Sequence, residues 1–426
     1  MKYPDETIMV VCQPLFISLA ERFARDFGRV LLYVPVSGSF PTANQGLVGT
    51  GIEGVERVYS IFGPHFEDVS TFCFPDLGFA DFQVQLETMG KNVFGNRNSE
   101  ELELYREFAK EQMERDGLPV QTWKKIIGID ALREHLKANP NQHCKLNIWR
   151  GATESFFSPS YEIVETKIDD LAHTLGCFGK DFLFIVEDDL PDMPEIGIDS
   201  YCIDGRWPSQ ALVGIEVKDA YFAGQMCEWE KIPEPIRRWN DVTALLLGKY
   251  GGRGFISTEN RIDDQNEPYP IDLTIRAPSP PNELFQELFT NISEIVREGA
   301  RGVLVDPIPA AKWGVEVIIK SAWAEKNQLP VKIPDQFLQQ VKLYNYSVVD
   351  GIRYVIPQDE EMSECGAVVG WGDTLEEAVE HAKEAGEAIE GYGIKFNMGP
   401  VDAANEQMEE LADMGISPFT IAKDEK

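Results

Sequence analysis

The chain has 426 residues, 43% of them hydrophobic and 11% aromatic, the composition of a folded protein with enough length for about two to four domains. Its formal charge of −32 opposes nonspecific binding to nucleic acid or to an anionic membrane. No apolar run approaches the roughly 18 residues of a membrane span, and Met1-Lys2-Tyr3-Pro4-Asp5-Glu6 lacks the basic-then-apolar pattern of a secretion signal, so a soluble cytoplasmic protein is expected.

Thr7 to Gln13 reads as a buried strand, followed by an amphipathic helix near 16–26 and a strand at 30–34, an alternation that predicts a parallel, Rossmann-like sheet. Cys12-Gln13-Pro14-Leu15-Phe16 stands where a GxGxxG loop would follow the first strand, so dinucleotide binding is not supported. Further strands are expected at 58–61, 68–74 and 90–95, and Ser99 as cap of a long helix over 100–116 that ends at Gly117. The cysteines form no CxxC pair, and five scattered histidines argue against a zinc site. A helix at 129–138 precedes a strand that carries Lys145 into the Gly-containing stretch Arg150-Gly151-Ala152-Thr153-Glu154-Ser155. A lysine there suits a phosphate, and equally an ordinary surface turn. Helix 170–175 leads to the apolar strand Phe182-Leu183-Phe184-Ile185-Val186, which runs into Glu187-Asp188-Asp189. Antiparallel strands are expected from Glu195 to Gly205 and from Gln210 to Lys218, then a helix at 239–248.

Two strands, 255–262 and 269–275, are joined by the polar turn Asp263-Asp264-Gln265-Asn266, a hairpin signature. Period-2 geometry sends Asp272, Thr274 and Arg276 from one face and Ile271, Leu273 and Ile275 from the other, with Glu259 on the partner strand. Two carboxylates, a hydroxyl and a guanidinium on one face suit magnesium and a triphosphate. A hairpin with one solvated polar face has the same alternation. Beyond Ala277-Pro278-Ser279-Pro280-Pro281 an amphipathic helix is expected over 283–298, then strands near 315–321 and 368–370, a helix over 374–389 opened by a Thr374/Glu377 capping box, and a polar tail.

The ordered set Arg106, Lys145, Glu187, Glu195, Lys218, Glu259 and Asp272-x-Thr274-x-Arg276 resembles the ATP-grasp superfamily over nearly the whole chain. The thirteen positions from Glu259 to Asp272 are similar to the spacing of that superfamily's two metal-binding carboxylates. Domain order, length, Leu86 to Gly95 and Cys365 to Ala378 look most like the phosphoribosylamine-glycine ligases within it. Two departures are plain. The Gly-rich loop that holds ribose phosphate in those ligases is absent, and the usual Glu-x-Asn-x-Arg is Asp272-x-Thr274-x-Arg276.

The resemblance implies a mixed α/β and α+β architecture. A Rossmann-like domain over 1–98 precedes a two-lobed ATP-grasp domain over 99–312, with its small lobe at about 120–190 and an antiparallel sheet beyond. A C-terminal domain over 313–400 and a tail over 401–426 follow. It further implies an ATP-dependent carboxylate-amine ligase, ADP-forming through an acylphosphate, that uses ATP and magnesium, or manganese in its place. Lys145, Arg106 and Arg150 would meet phosphates, the Val186 and Glu187 backbone would meet adenine, and Glu195 the ribose. Lys218 and Arg276 would contact the γ-phosphate, while Glu259, Asp272 and Thr274 would hold the metal. The partners are then a small carboxylate and a small amine, and dimers are common among such enzymes. The departures at Asp272 and Thr274 also fit a chain that binds nucleotide or a partner without turnover.

Overall fold

The run Ile8-Met9-Val10-Val11-Cys12 is fully buried in the computed structural model, which describes residues 1–36, 42–147, 155–191, 193–218, 220–357 and 363–419. A strand without polar alternation needs cover on both faces, and this one has it at the centre of a parallel sheet. The strands are β1 (Tyr3–Val11), β2 (Phe27–Tyr33), β3 (Val55–Val58), β4 (Val69–Cys73) and β5 (Val93–Phe94), ordered β3-β2-β1-β4-β5. Helices α1 (Ile17–Phe23), α2 (Ala43–Leu47) and α3 (Ala80–Thr88) lie in the connections, so the Rossmann-like sheet expected from the sequence is present.

The single helix expected over 100–116 is two, α4 (Glu101–Leu104) and α5 (Arg106–Arg115). Tyr105, at φ −110° and ψ 83°, breaks the run, and Ser99 sits inside a 3-10 turn instead of capping. The first donors of α5 are met from far away: the Arg106 and Glu107 N–H groups donate to the Asn147 backbone and side-chain oxygens at 3.4 and 2.9 Å. Asn147 belongs to the small lobe, formed by β6 (Trp123–Ile127), α6 (Ile129–Ala138), β7 (Gln142–Leu146), β8 (Ser155–Ser158), α7 (Tyr161–Leu175) and β9 (Leu183–Asp188). Its antiparallel order is β6-β9-β7-β8, and it has its own core of Leu132, Leu136, Ile168, Phe184 and Val186.

The large sheet begins with β10 (Glu195–Ile203), β11 (Gln210–Val217) and β12 (Tyr221–Glu228), and after α8 (Glu234–Lys249) adds β13 (Arg253–Ile262) and β14 (Pro268–Thr274). The helix expected over 283–298 divides into α9 (Asn282–Leu288) and α10 (Ile292–Gly299), because Phe289 is extended at φ −90° and ψ 91°. Then come β15 (Trp313–Lys320), β16 (Leu329–Val331), β17 (Val341–Leu343), β18 (Tyr346–Val349), β19 (Ile352–Val355), β20 (Glu364–Gly372), α11 (Leu375–Glu387), β21 (Lys395–Phe396) and α12 (Pro400–Asp413). The sheet order is β14-β13-β10-β11-β12-β15-β20-β17, with β21 on β15. The expected division at 312/313 is therefore no break in the sheet, since β12 and β15 pair from Tyr221 with Val317 to Gln225 with Trp313.

The C-terminal stretch departs from a loosely held polar tail. Helix α12 buries Ala404, Met408 and Leu411, Gln407 accepts the Glu195 N–H at 2.9 Å, and Phe419 stacks on Trp313. Its apolar residues lie at i, i+4 and i+7 among charged ones, a stripe that overall polarity conceals. Leu411→Ala is expected to cost about 2–5 kcal/mol of stability, read by urea denaturation.

Candidate functional site

The 263–267 turn sets the register of everything that follows. Asp263 Oδ1 accepts the N–H groups of Gln265 and Glu267 at 2.9 and 2.8 Å, and Asn266 takes a left-handed φ of 63°. With the turn closed this way, Glu259 lies opposite Asp272 and Ser257 opposite Thr274, with a bulge between Glu259 and Asn260. Residues directly opposite have Cα atoms about 4.5–5.5 Å apart and share a face. Leu273 and Ile275 go the other way, into a core with Trp239.

Glu259, Asp272, Thr274 and Arg276 open onto a cavity of about 1000 Å³, walled by the small lobe on one side and the large sheet on the other. Lys145, Arg106, Glu187, Glu195 and Lys218 line the same cavity, so the structure brings these expected residues together. Val186 does not line it. It is 1% exposed, paired on both sides of β9 with Lys124 and Cys144, and the part of this stretch that reaches the cavity is Glu187, Asp188 and Leu190. A central strand spends its backbone donors and acceptors on its neighbours, so Val186 is not placed for the backbone contact expected of it. Arg150 lies outside the described residues.

Lys145, Arg106 and Arg276 have protein partners. Lys145 Nζ donates to Ile271 O at 2.8 Å, reaching from the small lobe to β14, and stands 3.2 Å from Glu187 Oε2. Arg106 Nη1 donates to Leu146 O at 2.5 Å, and Arg276 Nε to Glu103 Oε1 at 3.2 Å. Lys218 is exposed just beyond β11.

Three contributors escape a reading of the sequence. Lys110, buried, is 2.9 Å from Glu187 Oε1 and donates to Gln121 Oε1 at 2.9 Å. It follows Arg106 by one helical turn, a spacing that could have drawn notice. Arg261 holds Glu195 Oε2 at 3.3 Å and Leu190 O at 2.8 Å, so the carboxylate expected to meet ribose already has a guanidinium partner. Glu216 lines the cavity two residues before Lys218, and alternation along that strand was its signal.

The charges divide the cavity. Burial alone would raise the Glu187 carboxyl, but the Lys145 and Lys110 ammoniums outweigh it and hold its pKa at about 2. A depressed carboxyl gives stability that is present above its unfolded value of 4.5 and is lost as pH falls from there toward 2. Glu187→Ala takes the carboxylate from the buried Lys110 ammonium and from Lys145, and is expected to cost about 3–5 kcal/mol at pH 7, read by urea denaturation. On the large sheet the opposite holds. Burial, then the neighbouring Glu216, Glu195 and Asp272 carboxylates, raise Glu259 well above its ordinary range, and burial pushes Glu216 up to about 7. These are acids short of positive charge.

Among the described residues no three His, Cys, Asp or Glu side chains form a ready metal cage. Magnesium does not require one, since it commonly takes one or two carboxylates and completes its shell with phosphate oxygens and water. Glu259 and Asp272, opposite each other on the hairpin, fit that donor set.

No family model and no curated protein matches the chain. Solved structures do. Phosphoribosylamine-glycine ligase from Thermotoga maritima superposes with a TM-score of 0.70 at 17% identity, covering 92% of this chain and 98% of that one. The biotin carboxylase domain of Hydrogenobacter thermophilus 2-oxoglutarate carboxylase, in complex with MgADP and bicarbonate, gives 0.65 at 14%, covering 98% and 99%. L-amino acid ligase from Bacillus licheniformis gives 0.59 at 13%, covering 92% and 99%. At these identities the likeness establishes the fold, including the multi-domain layout. Among the described residues no helix is long and apolar enough to cross a membrane.

Proposed function

We propose that this chain, which has the ATP-grasp fold, is an ATP-dependent carboxylate-amine ligase that forms ADP through an acylphosphate. The observation that carries this reading is the pairing of Glu259 with Asp272 at the mouth of a cavity whose opposite wall supplies Lys145 and Arg106. Two facing carboxylates with cations on the elements around them match a metal–triphosphate complex, in which the metal meets the acids and the phosphates meet the bases.

In this reading the adenine lies against Leu190 and the end of β9, and the phosphates run past Lys145 and Arg106 toward Lys218 and Arg276. A substrate carboxylate oxygen attacks the γ-phosphorus, ADP leaves, and an amine nitrogen then attacks the acyl carbon to give an amide and phosphate. Magnesium held by Glu259 and Asp272, with Thr274 beside them, would offset the charge that the two anions bring together. Arg276, steadied by Glu103, presents its guanidinium to the transferring phosphoryl group. Lys145 links nucleotide occupancy to the contact between the lobes, because the same ammonium now bonds Ile271 O on β14.

The test is magnesium-dependent release of ADP by the purified chain, screened over pairs of small carboxylates and amines. Turnover that appears only when both are supplied supports the ligase. Saturable ATP binding without turnover on any pair sinks it and leaves a nucleotide-binding protein.

A further inference from the structure

The far end of the cavity, away from the small lobe, has a different chemistry. Leu15, Pro278, Pro280 and Ile318 give it apolar walls, and Ser279 and Tyr344 give it two hydroxyls. The lysines and arginines that line the cavity come from α5, the small lobe, β13 and the residues just after β11 and β14. Among the described residues none comes from the β1 end, from 278–281 or from β15 through β20. Lys320, next to this end in the chain, is paired with Glu364 at 2.8 Å, and Lys342 with Glu287 at 2.5 Å. The undescribed stretches 37–41 and 358–362 contain no lysine or arginine.

The C-terminal end of β1 is where a parallel sheet of this kind offers backbone N–H groups to a ligand's phosphate. Here that place is taken. The Asp76 carboxylate accepts the Gln13 N–H and, at 2.8 Å, the Leu77 N–H, Pro14 has no N–H to offer, and the Leu15 side chain lines the cavity. A built-in carboxylate that has taken these N–H groups leaves them unavailable to a second anion.

Behind the two hydroxyls sits a buried carboxyl pair. Ser279 Oγ and Tyr344 Oη each donate to Glu283 Oε2, at 3.2 and 3.3 Å, and stand 3.1 Å from each other. Glu283 is 0% exposed and hydrogen-bonds Glu316, also 0% exposed, and burial raises both carboxyls above their ordinary range. A hydroxyl that donates inward to a carboxyl keeps its lone pairs for a donor in front of it.

We propose that this end of the cavity is the acceptor subsite, and that it takes an unphosphorylated primary amine with an apolar body. The amino group donates to Ser279 Oγ and Tyr344 Oη, which leaves the nitrogen lone pair for attack, and the body lies on Leu15, Pro280 and Ile318. The assignment rests on the ligase reading for its chemistry, and it separates this chain's acceptor from one that carries a ribose phosphate.

The test is calorimetric titration of the full chain with L-leucinamide, a primary amine on an apolar body without a carboxylate, and with ribose 5-phosphate. Leucinamide is expected to bind and ribose 5-phosphate not to. Ser279→Ala and Leu15→Trp, the first removing a lone pair and the second filling the apolar wall, are each expected to weaken leucinamide by about tenfold or more. Binding of ribose 5-phosphate in place of leucinamide overturns the proposal. So does leucinamide affinity that neither substitution changes, or no leucinamide binding in a preparation that binds ATP. Leucinamide binding that responds to both substitutions in a chain that fails to bind ATP upholds the subsite while removing the ligase reading.

Discussion

Glu259→Gln is expected to abolish most ADP formation while leaving the fold intact. The metal that Glu259 would share with Asp272 supplies several kcal/mol of stabilisation to the transferring phosphoryl group, about two orders of magnitude or more in rate. Glutamine keeps the shape and one carbonyl oxygen but loses the charge. Because Glu259 stands among Glu216, Glu195 and Asp272, its carboxylate is repelled in the protein without metal. The substitution should therefore raise the melting temperature of the metal-free chain at pH 7 and remove most of the further rise that magnesium gives the wild type. Turnover and thermal melting, each with and without magnesium, check both halves. Full activity in Glu259→Gln would remove Glu259 from the metal site.

Arg276→Ala is expected to lower kcat by about 10²–10³-fold, the loss seen when one preorganised donor to a developing charge is removed, with the KM for ATP little changed. The reason is position. Arg276 lies two residues beyond β14, Glu103 accepts from its Nε, and the residue lines the cavity with Thr274. Arg276→Lys should recover little, because an ammonium lacks the planar fork that can bond Glu103 and a phosphate oxygen together. Steady-state kinetics on a substrate pair from the screen decide it, and an unchanged kcat in Arg276→Ala would sink the assignment.

The hairpin was legible because one rule governs it. A strand turns its side chains over every residue, so Asp272, Thr274 and Arg276 had to share a face once the strand was recognised, and the Asp263–Asn266 turn marked where it reversed. The parallel first domain was legible in the same way, from an apolar run too continuous for a one-faced strand. The break in the helix expected over 100–116 is not legible in the sequence, because Tyr105 carries no breaking signal. What divides it is the pair of donors at the start of α5, which find Asn147 about forty residues on. The charges of the last stretch point to a polar tail or a loosely attached helix, whereas three buried apolar positions on one stripe suffice to dock α12.

By itself the sequence determined which side chains leave each element together, since the periods of strand and helix are properties of the local backbone. It placed Glu259, Asp272, Thr274 and Arg276 in one hairpin, and the family resemblance supplied a chemistry for them. Only the tertiary structure decided which charges meet. Lys110 and Lys145 converge on Glu187, Arg261 takes Glu195, and Asp76 fills the end of β1 where a phosphate could have gone. Except at β1 itself, these partners lie on different elements, and strand register and the seating of one lobe on the other, which bring them together, come from packing over the whole chain.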